Sequence, residues 1–104
     1  MAQFDVFLNP VPAARDAYPF VIALQSDLAA DPDQVVTAPL ARAARAARTT
    51  ARLTPRVLLD EEAYIVWVAA LATFARGDLR SRVANLAGDR GALLGAVDIL
   101  FYGV

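Results

Sequence analysis

Four arginines, Arg42, Arg45, Arg48 and Arg52, recur three and four residues apart in "ARAARAARTTAR". On a helix this spacing lines guanidinium groups along one face, where they would grip phosphate or carboxylate oxygens. The alanines between them favour helix, although so short a segment also admits an irregular or partly extended connection. A second concentration of charge, Asp60-Glu61-Glu62, has the donor chemistry of a divalent-cation site. Three consecutive acids in a strand cannot share one face, and no second acidic cluster accompanies them. They read as a polar turn, and no metal or other cofactor is expected.

The chain has no histidine and no cysteine. A disulfide scaffold, a zinc finger, a cysteine nucleophile and a Ser–His–Asp triad are thereby excluded. The net charge is −1 and the isoelectric point is near 5.2, which argues against a broad electrostatic grip on nucleic acid. A solvated face is the better reading of the arginines. The third feature is the ending, "DILFYGV", where Phe101, Tyr102 and Val104 occupy a place usually given to frayed polar residues. Aromatic side chains there are either docked on the core or presented to a partner.

The elements that must position these residues follow from hydrophobic period and turn chemistry. A length of 104 residues at 58% hydrophobic and 20% charged suits one domain with one core, spanning residues 1–104. "QFDVFL" alternates as an opening strand, and "NPVPAARDAYP" is a proline-rich loop. "FVIALQ" resumes as a strand from Phe20 to about Gln25. Asp31, Pro32 and Asp33 make a turn, and "VVTAPL" is a third strand that Pro39 should end or push to an edge. "RVLL" and "AYIVWV" form a hairpin around the acidic turn, with Val66 or Trp67 facing the core. A further short strand, Leu71 to Phe74, ends at Arg76, Gly77 and Asp78.

From Asp89 the period becomes helical. Leu93, Val97, Leu100 and Val104 form the apolar stripe, flanked by Leu94 and Phe101, and Asp89 is the expected N-cap. Leu100 and Phe101 should anchor the last turn, which leaves Tyr102 available. Gly91 and Gly95 signal close packing or mere tolerance. The pattern of strands followed by one terminal helix is α+β, or a small barrel. The start carries no secretory signal, and "AYIVWVAALATFA" is too short to span a bilayer, which needs about 20 residues. The expected setting is cytoplasmic.

The order and spacing of "QFDVF", "LQSDL", "APLAR", "LTPRVLLDEEAYIV" and "AVDILFYGV" resemble the CcdB family of toxins from type II toxin–antitoxin modules, nearly end to end. The resemblance implies an α+β, mainly β fold: a small SH3-like barrel of the CcdB/MazF type, with an additional small sheet and a C-terminal α-helix, assembled as a homodimer. It implies a poison and not an enzyme, one that binds the A subunit of DNA gyrase and traps the cleaved-DNA complex until a cognate CcdA-like antitoxin relieves it. The family's closing Trp-Gly-Ile maps onto Tyr102, Gly103 and Val104, the implied gyrase-binding residues. Tyrosine keeps a flat ring but loses area and the indole donor, and valine loses one methylene, about 0.8 kcal/mol of burial. The loop after the first strand, Asn9 to Ala17, is the implied antitoxin contact, with Asn9, Pro10 and Arg15 as candidates, and the arginine series would suit an acidic antitoxin.

Two alternatives accompany this reading. MazF-type endoribonucleases share the general fold and pair arginine with a hydroxyl; Arg15 or Arg52 beside Thr49, Thr50 or Thr54 would imitate that chemistry, the guanidinium stabilising a phosphorane-like charge. The other is a non-toxic homologue that binds the antitoxin.

Overall fold

The computed structural model describes residues 1–29, 31–46, 49 and 51–103. Among these residues, seven strands and one α-helix follow in chain order: β1 (Asp5–Leu8), β2 (Phe20–Ala23), β3 (Gln34–Arg42), β4 (Arg56–Leu59), β5 (Glu62–Val66), β6 (Ala72–Ala75), β7 (Ala84–Asn85) and α1 (Arg90–Tyr102). All strand pairings are antiparallel, in the order β4-β5-β3-β2-β1-β7, with β6 also paired to β3. The sheet wraps into the small, nearly closed barrel that the resemblance implies. The smaller sheet is a fork of the larger one, because β6 and β5 divide one edge of β3 between them.

That fork explains Pro39, which neither ends β3 nor lies at an edge of the sheet. Along one side β3 pairs with β2 from Thr37 to Leu40. Along the other, β6 covers Gln34 to Thr37 and β5 covers Leu40 to Arg42. The Pro39 carbonyl accepts the Trp67 N–H at 2.9 Å on this divided side. A residue's N–H and C=O point to the same side of a strand. The donor that proline lacks would therefore fall in the gap between β6 and β5, where no ladder bond is lost.

Both faces of the sheet are covered, so β1 and β2 are apolar on alternate and intervening positions alike. One face carries Val6, Ile22, Ala38, Leu40, Val57, Tyr64 and Val66 against Leu93 and Ala96 of α1. The other carries Phe7, Val21, Ala23 and Val35 beneath Leu79 and the half-buried Phe74. Of the hairpin pair, Val66 is the one fully enclosed, and Trp67 is half-buried.

The β4–β5 connection is a two-residue turn. Leu59 pairs with Glu62, and both Asp60 and Glu61 have positive φ (49° and 69°). This is type I′ geometry, which fits the right-handed twist of the strands but normally favours Asn or Gly. β7 has no signal in the sequence, being two residues long. It is held on β1 by the buried Asp5, which accepts the Ala2 N–H at 2.8 Å and the Asn85 amide at 2.9 Å, with Arg82 at 3.5 Å. Burial pushes the Asp5 carboxyl up, but those donors and the Arg82 charge outweigh it, and its pKa lies below the usual carboxylate value.

Among its described residues the arginine-rich segment forms no α-helix. Arg42 closes β3, and the described parts that follow are two 3₁₀ turns, Ala43–Arg45 and Ala51–Leu53. High intrinsic propensity loses here because a short helix is marginal without an apolar face to bury. No helix of the described residues is long and apolar enough to cross a membrane.

Candidate functional site

α1 is thirteen residues long and begins at the expected position, with Asp89 as N-cap residue, although its side chain makes no capping hydrogen bond. Leu93 and Ala96 are enclosed, and Leu94, Val97 and Leu100 pack half-buried against the same core. A Cβ built on Gly91 or Gly95 would meet nothing within 4 Å, so these glycines are tolerated and not required by close packing. The helix ends in a left-handed Gly103 at φ +75°, whose N–H reaches the carbonyls of Asp98 and Ile99 at 3.2 and 3.0 Å. This closure fixes the last turn, and glycine is the residue that adopts such a φ without a Cβ penalty.

Phe101 does not anchor that turn. It is 62% exposed, beside Tyr102 at 78%. At about 100° per residue, Phe101 lies at the margin of the stripe centred on Leu93, and the elements that cover α1 do not reach past Leu100. Tyr102 lies on the opposite side of the helix from Leu93. The chain thus presents two adjacent aromatic rings on a capped helical turn, with glycine next to them. Adjacent exposed aromatics on a rigid element have the form of a protein-binding patch. Val104, the third residue of the implied gyrase contact, lies outside the described residues.

The CcdB protein family model matches residues 3–103. The chain belongs to the CcdB family. Its members are toxins of toxin–antitoxin modules. A search of curated proteins finds no match.

The other candidate contacts of the CcdB chain are placed differently from the tail. Asn9 is buried: its amide donates to the Tyr18 carbonyl at 2.9 Å, its Oδ1 accepts the Val11 N–H at 2.9 Å, and its carbonyl accepts Arg15 Nε at 2.6 Å. Asn9 therefore shapes the loop from within, while Pro10 and Arg15 border an open groove of about 460 Å³ with Leu8, Val11, Phe74 and Arg80. Leu8 and Val11 are each 44% exposed there. The sequence located this loop but gave no sign of its opposite wall, which comes from β6 and the segment after it.

The arginines are dispersed. Arg42 pairs with Glu62 at 3.2 Å and Arg45 with Asp16 at 3.3 Å, both at the surface. Arg52 is exposed in a 3₁₀ turn, and Arg48 lies outside the described residues. Of the threonines weighed with Arg15 and Arg52, Thr54 is buried, Thr49 is exposed and Thr50 lies outside the described residues. In the acidic triplet, Asp60 and Glu61 form the turn, and Glu62 faces Arg42 and the Tyr64 hydroxyl. Burial, with Glu62 next to it, raises the Tyr64 pKa above its usual value.

Proposed function

We propose that this CcdB-family toxin acts by binding the A subunit of DNA gyrase through its C-terminal turn and trapping the gyrase–cleaved-DNA complex. The observation that carries the reading is the capped last turn of α1, with Phe101 and Tyr102 both in solvent. Tyr102 stacks on a flat or cationic group, for which arginine is the favoured partner. Gly103 lets the partner's backbone approach, and Val104 adds apolar contact. Phe101, which the sequence assigned to the core, joins this surface. The chain is a single-domain binding poison, not an enzyme, and needs no cofactor.

The working unit is a cytoplasmic homodimer, whose two-fold symmetry offers paired Tyr102 rings to a symmetric target. A CcdA-like antitoxin neutralises it, with Pro10 and Arg15 at the rim of the first-loop groove as the contacts and Asn9 as the residue that holds the loop in shape. No sequence-specific nucleic-acid binding and no membrane association form part of this activity. The test is growth on induction in cells with normal or toxin-resistant gyrase. Arrest confined to the normal strain is the expected result; arrest in both strains, accompanied by RNA cleavage by the purified protein, overturns the proposal.

A further inference from the structure

A groove of about 470 Å³ runs between the end of the first loop and the end of β3, with Tyr18 and Trp67 among its lining residues and Ala41 and Ala46 as small ones. Its volume lies within the usual range of ligand sites. Both aromatic residues are fixed through their backbones. The Tyr18 N–H donates to the Ala14 carbonyl at 2.8 Å, its carbonyl accepts the amide of the buried Asn9 at 2.9 Å, and the buried Pro19 follows. The Trp67 N–H donates to the Pro39 carbonyl at 2.9 Å, and the enclosed Val68 comes next.

Their side chains, by contrast, are unengaged. Both are half-buried, and the ring pair of the described residues is Phe20 with Tyr64, so Tyr18 and Trp67 do not stack on each other. Neither the Tyr18 hydroxyl nor the Trp67 indole N–H has a hydrogen-bond partner among the described residues. The remaining polar groups of the lining are Asp16 and Arg45, which pair with each other at 3.3 Å. Charge at the rim therefore sums to zero, and the free side-chain capacity consists of donors, the indole being a donor only.

These features select among ligands. A phosphate chain or an acidic peptide needs cations that are not already paired, and here the one guanidinium faces a carboxylate. An ordinary extended peptide brings an N–H at every residue, each requiring an acceptor. Proline has no N–H, and a polyproline II helix leaves its carbonyls without internal partners. It offers acceptors and an apolar surface, it is neutral, and little order remains to be imposed on it.

We propose that this groove binds a proline-rich segment of another protein in the polyproline II conformation. Its pyrrolidine rings pack on Tyr18 and Trp67, and its carbonyls accept from the Tyr18 hydroxyl and the Trp67 indole N–H. The site shares no lining residue with the groove at Pro10 and Arg15, and none of its lining residues comes from α1. The proposal therefore stands or falls independently of the gyrase reading.

Trp67 is the sole tryptophan of the chain, so its emission reports on this groove alone. Titrating the full chain with oligoproline should shift that emission saturably. A Gly-Ser peptide of equal length, oligoglutamate and single-stranded oligothymidylate should leave it unchanged. Tyr18→Phe and Trp67→Phe keep a ring but remove one donor each. Each should weaken binding of a fluorescently labelled oligoproline, read by anisotropy, by roughly fivefold, as expected for loss of one hydrogen bond. No saturable response to oligoproline overturns the proposal, as does an equal response to the Gly-Ser peptide. Tighter binding of oligoglutamate or oligothymidylate overturns it in favour of an anionic ligand. Native-like affinity in either phenylalanine variant also contradicts it.

Discussion

Early in α1, Leu93 and Ala96 are completely enclosed, whereas at its end Phe101 and Tyr102, with far more apolar surface, stand mostly in solvent. The two ends belong to one continuous helix, so propensity and period cannot account for the contrast. What differs is the neighbourhood. The first end emerges from β7, which Asp5 and Asn85 fasten to β1, and Arg90 lies over the Phe4 ring at 5.8 Å. The last turn extends beyond its covering elements and is held by its own Gly103 closure. Apolar residues in the first region hold the fold together; in the second they are displayed. Substitutions should therefore separate stability from activity according to their place on α1.

The largest effect on stability is expected from Leu93→Ala. Removing a fully buried leucine opposite the sheet should lower unfolding free energy by about 2–5 kcal/mol, measured by denaturant titration. Asp5→Asn comes next, weakening the anchor of β7 by about 1–2 kcal/mol at neutral pH. Its pH dependence has a definite sign. The folded-state pKa of Asp5 lies below its reference value of 3.8. The ionised carboxylate therefore stabilises the native state fully above that value, and the contribution is lost as pH falls through the lower, folded-state pKa. The gap between native and Asp5→Asn proteins in thermal unfolding should thus be constant at neutral pH and close below about pH 4. A gap that widens on acidification would contradict the assignment.

Gly103→Ala places a Cβ at φ +75°, a conformation that costs an ordinary residue about 1–2 kcal/mol. Because the last turn can unwind on its own, global stability should fall by less than that, while hydrogen exchange at the Gly103 amide quickens. The smallest stability effect belongs to Phe101→Ala and Tyr102→Ala, expected to lie within about 0.5 kcal/mol of the native protein. A loss of several kcal/mol in either would mean that the last turn is core after all, and would erase the contrast between the two ends of the helix.

Period and turn chemistry made much of this architecture readable. The strands around Val6, Ile22, Val35, Val57, Ile65 and Thr73 and the terminal helix announced themselves, because each carries several residues of one pattern. The failures have local causes. Two residues, Ala84 and Asn85, have no period to detect, and β7 exists through a buried carboxylate that sequence alone does not show to be buried. Pro39 looked like a strand end because the fork in the sheet that removes its penalty is tertiary. The arginine segment looked helical because alanine favours helix wherever packing is silent. Within the site, Tyr102 was legible from its helical angle. Phe101 was not, since a residue at the margin of a stripe is buried or exposed according to whether anything reaches it. Asn9 was legible as a loop residue, but its role inside the loop depends on hydrogen bonds to Tyr18, Val11 and Arg15.

The central claim is that the last turn of α1 is built to engage gyrase and contributes little to the fold. It is tested most directly by mixing purified gyrase and supercoiled DNA with native protein or with Tyr102→Ala, after confirming equal melting temperatures. The account predicts trapped double-strand breaks with the native protein, and at least about tenfold fewer with the variant, as befits loss of a central aromatic contact worth about 2 kcal/mol. Equal trapping by two equally stable proteins would contradict it.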